Sequence, residues 1–147
     1  MSLQERLLED MKAAMKSKDK ERLSVIRMAR AAIKDKEINE RKDLSDEEVI
    51  EVLAKLVKQN RDSITEFEKA GQEDKVEDLK REIGVLEDYL PEQLSEEELA
   101  EMVEEVIAQT GAESMRDMGK VMGAIMPKVT GRADGNVISQ LVKERLA

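Results

Sequence analysis

The chain has no cysteine and no histidine among its 147 residues. Without cysteine, disulfides and thiolate-bound metals are excluded. Without histidine, imidazole bases and His-ligated metals go too. Rings are almost as scarce, with one Phe, one Tyr and no Trp, so the core must be aliphatic and the nine Met fill gaps that aromatics fill elsewhere. No window approaches the roughly 18 apolar residues of a membrane span. The first ten residues, MSLQERLLED, carry acids and lack the apolar run of a secretory signal. The expectation is a cytoplasmic protein with no membrane partner, metal or cofactor.

What is abundant is charge and helix-forming residues. Apolar and charged residues each make up 40% of the chain, which is enough burial to offset ordering entropy. Leu, Glu, Lys, Ala and Met favour helix. The net charge of −9 hides a gradient. Residues 1–44 hold 12 basic and 9 acidic side chains, and residues 45–90 hold 7 and 14. Residues 91–111 hold seven acids and no base, and residues 112–147 hold 6 basic and 4 acidic. Both ends are therefore basic around an acidic middle, and local sign matters more than net charge for a polyanionic partner.

The apolar spacing predicts seven helices and no strand. The first covers 3–17, with Leu3, Leu7, Met11 and Met15 as its stripe. Asp19 caps a second that runs to about Asn39, with Leu23, Ile26, Met28, Ala29, Ala32 and Ile33 apolar. Ser45 and Glu48 form a capping box for the third, stapled by Leu44 and Val49. It continues through Leu53, Leu56, Ile64 and Phe67 to Gly71. A fourth, at 73–89, lies antiparallel on it through Val76, Leu79, Ile83 and Leu86. Pro91 marks a boundary. The same start signal then recurs as Leu94, Ser95, Glu98 and Leu99, opening a fifth helix at 96–109 that Gly111 ends. An all-α fold is expected, with an N-terminal antiparallel helical bundle at 1–90 and a small C-terminal three-helix domain at 92–147. Phe67 and Tyr89 sit at apolar helical positions and are expected in the core.

The stretch MGKVMGAIMPKVTGRADG, residues 118–135, departs from this pattern, because it holds four of the seven glycines. Met118, Val121, Met122, Ile125 and Val129 make a helical stripe. Gly119 and Gly123 stand one turn apart on a single face, and each costs about 1 kcal/mol against Ala in a helix interior. Something must approach that backbone closely, either a neighbouring helix of the same domain or an RNA backbone. Pro127 weakens the last turn, Gly131 terminates it and Asp134 caps a final helix carrying Val137, Ile138, Leu141, Val142 and Leu146. Lys128 and Arg132 lie near the N-terminus of that helix, a place suited to phosphate, although Asp134 there works against an anion. A second basic face, Arg27, Arg30, Lys34 and Arg41, runs along the second helix. It either pairs with the acidic third and fourth helices or gives a second RNA contact.

The blocks LSVIRMARAAIKDKEI (residues 23–38), EDYLPEQLSEEEL (87–99) and MGKVMGAIMPKVTGRADGNVISQLVKERL (118–146) resemble the signature blocks of the GatB/YqeY family. The likeness is to the free-standing YqeY-type proteins, and the last block is also similar to the tail of the B subunit of glutamine-dependent tRNA amidotransferase. That resemblance implies an all-helical module contacting tRNA, with Gly119, Lys120, Gly123, Lys128, Gly131 and Lys143 at the matching glycine and basic positions. Arg132 joins them from the turn. It also implies association with a carbon–nitrogen ligase that uses glutamine as amide donor, whose active sites lie in regions this chain does not resemble.

Catalysis by the chain alone is not expected. Clustered acids such as Glu47–Glu48 and Glu96–Glu97–Glu98 are accounted for by helix capping and the macrodipole, and no nucleotide-binding glycine loop follows a strand. A tRNA-binding accessory module is the first reading. The alternative is a non-catalytic scaffold that docks through its acidic surface, Glu101, Glu104 and Glu105 included, onto an aminoacyl-tRNA synthetase or an amidotransferase subunit.

Overall fold

The computed structural model describes all 147 residues and contains seven α-helices and no strand. The chain divides into two compact units, Met1–Leu90 and Pro91–Ala147. In the first lie α1 (Leu3–Ser17), α2 (Lys20–Glu40), α3 (Asp46–Lys69) and α4 (Glu73–Glu87). In the second lie α5 (Glu96–Thr110), a single 3-10 turn (Met115–Asp117), α6 (Met118–Val129) and α7 (Gly135–Leu146).

In the first unit, side-chain pairs reveal the helix directions. Gln4 donates to Glu37 and Arg30 meets the Met11 sulfur, so α1 and α2 run antiparallel. Asn60 donates to Glu82 at 3.1 Å, Arg61 pairs with Glu87 at 3.1 Å, and Lys75 lies over the Phe67 ring, so α3 and α4 do the same. Leu7, Ile26, Ala29, Ile33, Val49, Leu53, Val57, Leu86 and Tyr89 form the buried core. Tyr89 donates its hydroxyl to Asp10 under the Arg6 guanidinium. Burial, reinforced by Asp10, pushes that phenol up to about 12.

Some stripe residues fall outside the core. Met15 is 51% exposed and Ala14 is buried instead. Residues spaced by four drift about 40° per step on a helix of 3.6 residues per turn. By Met15 the stripe has therefore rotated roughly a third of a turn from Leu3. Met28 and Val137, each 38% exposed, also leave their stripes. Phe67 is only half-buried, because the buried residues of α3 all lie in its first half and no core residue follows Val57 on that helix.

The two capping phrases fold differently. At α3 the Ser45 hydroxyl accepts from the Glu48 N–H while the Ser45 N–H donates to the Glu48 carboxylate, closing the box. Lys42 binds the same carboxylate at 2.6 Å and holds it down to about 2. At α5 the Ser95 hydroxyl caps the Glu98 N–H, but the Glu98 carboxylate takes the hydroxyl and not the Ser95 N–H. The second phrase is thus half a box.

The second unit closes around Leu99, Val103, Val106, Val121, Ile125, Val129, Ile138, Val142 and Leu146. Residues 91–94 are pinned to the α6–α7 turn. Gln93 donates to the Gly131 carbonyl at 2.6 Å, the Leu94 N–H to the Arg132 carbonyl, and the Arg132 Nε to the Glu92 carbonyl at 3.2 Å.

Candidate nucleic-acid interface

The site grows out of α6. Val121, Ile125 and Val129 are fully buried against α5 and α7, which turns the opposite side of the helix outward. Gly119, Lys120, Gly123, Met126 and Pro127 are exposed there, and Lys128 is exposed at the edge of the buried stripe. A methyl group built on Gly119 or Gly123 meets nothing within 4 Å. The neighbouring-helix explanation for these glycines is therefore corrected: no other part of the chain packs on their face.

Pro127 sharpens the point. The helix runs on through it to Val129, so it does not stop the last turn. Proline carries no N–H, so the Gly123 carbonyl loses its usual partner four residues on. The result is an exposed stretch of backbone with no side chain over it, one carbonyl that lacks its i+4 donor, and Lys120 beside it. Nothing in the spacing of glycines announces that acceptor. The signal was the four-residue interval between Gly123 and Pro127.

The other residues of the set divide between surface and frame. Lys120, Lys128 and Lys143 are exposed and have no carboxylate within 4.0 Å, whereas Arg145 on α7 is taken by Glu104. Lys120 flanks the glycine face, whereas Lys128 lies roughly half a turn round the helix from Gly119, beside the buried stripe. Gly131 is buried, with φ of 75°, and its carbonyl is occupied by Gln93. Its place is in the turn, where left-handed backbone favours glycine. Arg132 is half-buried and holds the segment before α5. The Asp134 carboxylate accepts from the Asn136 N–H at 2.9 Å, so the start of α7 already has its own anion.

On α2, Arg27 and Lys34 are exposed and Arg30 is half-buried, and Arg41, the left-handed residue that ends the helix, is exposed too. None of the four makes the expected ion pair with α3 or α4. Those contacts use Arg22 with Asp88, Lys36 with Glu51, Lys42 with Glu48 and Glu21 with Arg81. The basic face is left unpaired.

The Yqey-like protein family model matches residues 4–146. Among curated proteins, the chain is similar to Altered inheritance of mitochondria protein 41, mitochondrial, from three yeasts. With that of Kluyveromyces lactis it shares 45% identity over 84 residues, covering 56% of this chain and 45% of that protein. With those of Lachancea thermotolerans and Eremothecium gossypii it shares 40% and 38% over 85 residues, covering 57% of this chain and 46% of each relative. The match thus spans less than half the length of these relatives. Their names also correct the cytoplasmic expectation, since all three are named as mitochondrial proteins. Composition and an acidic first stretch describe how a chain folds in water, and water-filled compartments do not differ in that respect. Matched over nearly its whole length, the chain belongs to the Yqey-like protein family.

Proposed function

We propose that the chain is a tRNA-binding accessory protein related to the tail of glutamine-dependent tRNA amidotransferase, and that it performs no catalytic step itself. The observation that carries this reading is the glycine face of α6. Two glycines each cost about 1 kcal/mol of helix stability, yet nothing in the chain packs on them. A partner that approaches the bare backbone accounts for that cost. RNA suits the chemistry, because its 2′-hydroxyl can donate to the Gly123 carbonyl, which lacks an i+4 donor, while Lys120 meets a phosphate beside it and Lys128 one further round the helix. With Tyr89 buried and Phe67 under Lys75, base stacking has little to use, so contacts go to phosphate and shape. Amidotransferase or synthetase subunits are the partners this role calls for, and any carbon–nitrogen ligase chemistry would be theirs.

Fluorescence anisotropy of labelled total tRNA tests it. Neutralising about three phosphates predicts affinity falling on the order of ten- to fiftyfold between 50 and 200 mM salt. Gly119→Leu with Gly123→Leu should abolish binding while circular dichroism stays helical, and Lys120→Glu with Lys128→Glu and Lys143→Glu should do the same. No binding at low micromolar protein in 50 mM salt would sink the reading. The scaffold alternative would then be tested by neutralising Glu101, Glu104 and Glu105.

A further inference from the structure

A second surface, independent of the RNA reading, lies between α1 and α2. A cavity of about 230 Å³ opens there, with Leu7, Leu8 and Ile33 at its apolar wall and Arg30 and Lys34 at its rim. Gln4, Glu5 and Glu37 complete the lining. The Glu37 carboxylate is already committed, accepting from the Leu44 N–H at 2.9 Å and from Gln4 at 3.2 Å. Those bonds, the Leu44 one first, hold it below the usual carboxylate range. Arg27, Arg30 and Lys34 have no carboxylate within 4.0 Å. Large apolar side chains stand out on the same two helices, with Ile38 64% and Met15 51% exposed.

Size and charge together select the occupant. The cavity is smaller than the roughly 300 Å³ at which small-molecule and cofactor sites begin, so it takes one or two side chains and not a cofactor. One side of it, Leu7, Leu8 and Ile33, is aliphatic, which a phosphodiester backbone does not use. Of the four charges at its rim, Glu37 is tied to Leu44 and Gln4 and Glu5 is exposed, while Arg30 and Lys34 continue into Arg27 as a cationic stripe that an apolar helix by itself does not satisfy. From Arg27 to Ile38 the face runs about 16 Å, three turns of a docked helix. We infer that the α1–α2 face binds an acidic amphipathic helix of a partner protein, which seats an aliphatic side chain in the cavity and sets its carboxylates against Arg27, Arg30 and Lys34. This is helix-in-groove recognition, with anchors at i, i+3 or i+4 and i+7 and specificity set by the cationic rim.

The test pans the full chain against a phage library of random peptides about 16 residues long, with Arg30→Gln/Lys34→Gln as counter-target. Leading sequences are synthesised with a fluorescein label and titrated by anisotropy. The expected winners carry Leu or Ile at helical spacing among Glu and Asp. Their Kd should weaken at least about tenfold in the Gln variant and more in Arg27→Glu/Lys34→Glu, with both variants shown to be helical by circular dichroism. Retention of the tRNA affinity of the wild type in these variants separates this face from α6. No enrichment, winners without acids, or undiminished binding to the variants overturns the inference. Variants that lose labelled tRNA and keep the peptides assign the face to RNA and overturn it equally.

Discussion

In residues 1–90 charge passes from helix to helix at Arg22–Asp88, Lys36–Glu51, Arg61–Glu87 and Glu21–Arg81, whereas in residues 91–147 a single pair, Arg145–Glu104, does so. Each unit has its own aliphatic core, so the contrast is not one of burial. All these pairs are partly exposed, and such pairs contribute about 0–1 kcal/mol. What differs is which charges are left over. The first unit pairs Arg22 and Lys36 of α2, Arg61 of α3 and Arg81 of α4, and leaves Arg27, Arg30 and Lys34 of α2 without a carboxylate. The second pairs only Arg145 with Glu104 and leaves Lys120, beside the bare face of α6, and Lys128 and Lys143 without a carboxylate.

The largest effects should show that the cores are alike. Leu53→Ala in the first unit and Ile125→Ala in the second each remove a fully buried side chain. Each should lower stability by about 2–5 kcal/mol in urea denaturation. A loss below 1 kcal/mol at either site would mean that unit is not held by its apolar core.

A smaller effect sets the polar side of the first unit against the second. Tyr89→Phe deletes the bond to Asp10 and should cost about 1–2 kcal/mol at neutral pH. The phenol is raised on folding, so its contribution is whole below pH 10 and is lost as pH rises from 10 through about 12. The variant should therefore lose the part of the alkaline destabilisation that falls in that window. An unchanged alkaline limb would show that the buried phenol is not what titrates. The second unit has no tyrosine and offers no counterpart.

The finest comparison is among glycines. Gly84 and Gly119 are helical with open space around them, so Ala at either should stabilise by about 1 kcal/mol in thermal melts. Gly111 has φ of +70°, and Ala there should cost about 1–2 kcal/mol despite equally open space. If Gly119→Ala stabilises the protein and weakens tRNA binding, the glycine belongs to the interface. Stabilisation with no change in affinity would leave that glycine without a role.

Much of the fold could be read from particular residues. Ser45 with Glu48 announced the start of α3, Gly71 and Gly111 announced ends, and Pro91 marked the break between the units. Local rules suffice there, since caps and left-handed turns are made by neighbours in sequence. They failed at Met15, Met28 and Phe67, where the degree of burial depended on how far a second and third helix extended alongside. They failed in part at Ser95, where the same phrase gave half the box.

The candidate site was less legible for a similar reason. Gly119 and Gly123 on one face followed from the helical repeat, but whether that face was covered depended on the path of α5 and α7. Gly131 and Arg132 read as part of a basic turn, and the structure sets them to holding residues 91–94. The α2 cations looked matched to acidic neighbours until the pairs formed elsewhere. By itself the sequence determined the helices, their ends and the aliphatic character of the core, because capping, backbone conformation and periodicity act within a few residues. Only the tertiary structure decided which glycines stand open and which cations remain free, because exposure and pairing depend on residues brought together from distant parts of the chain.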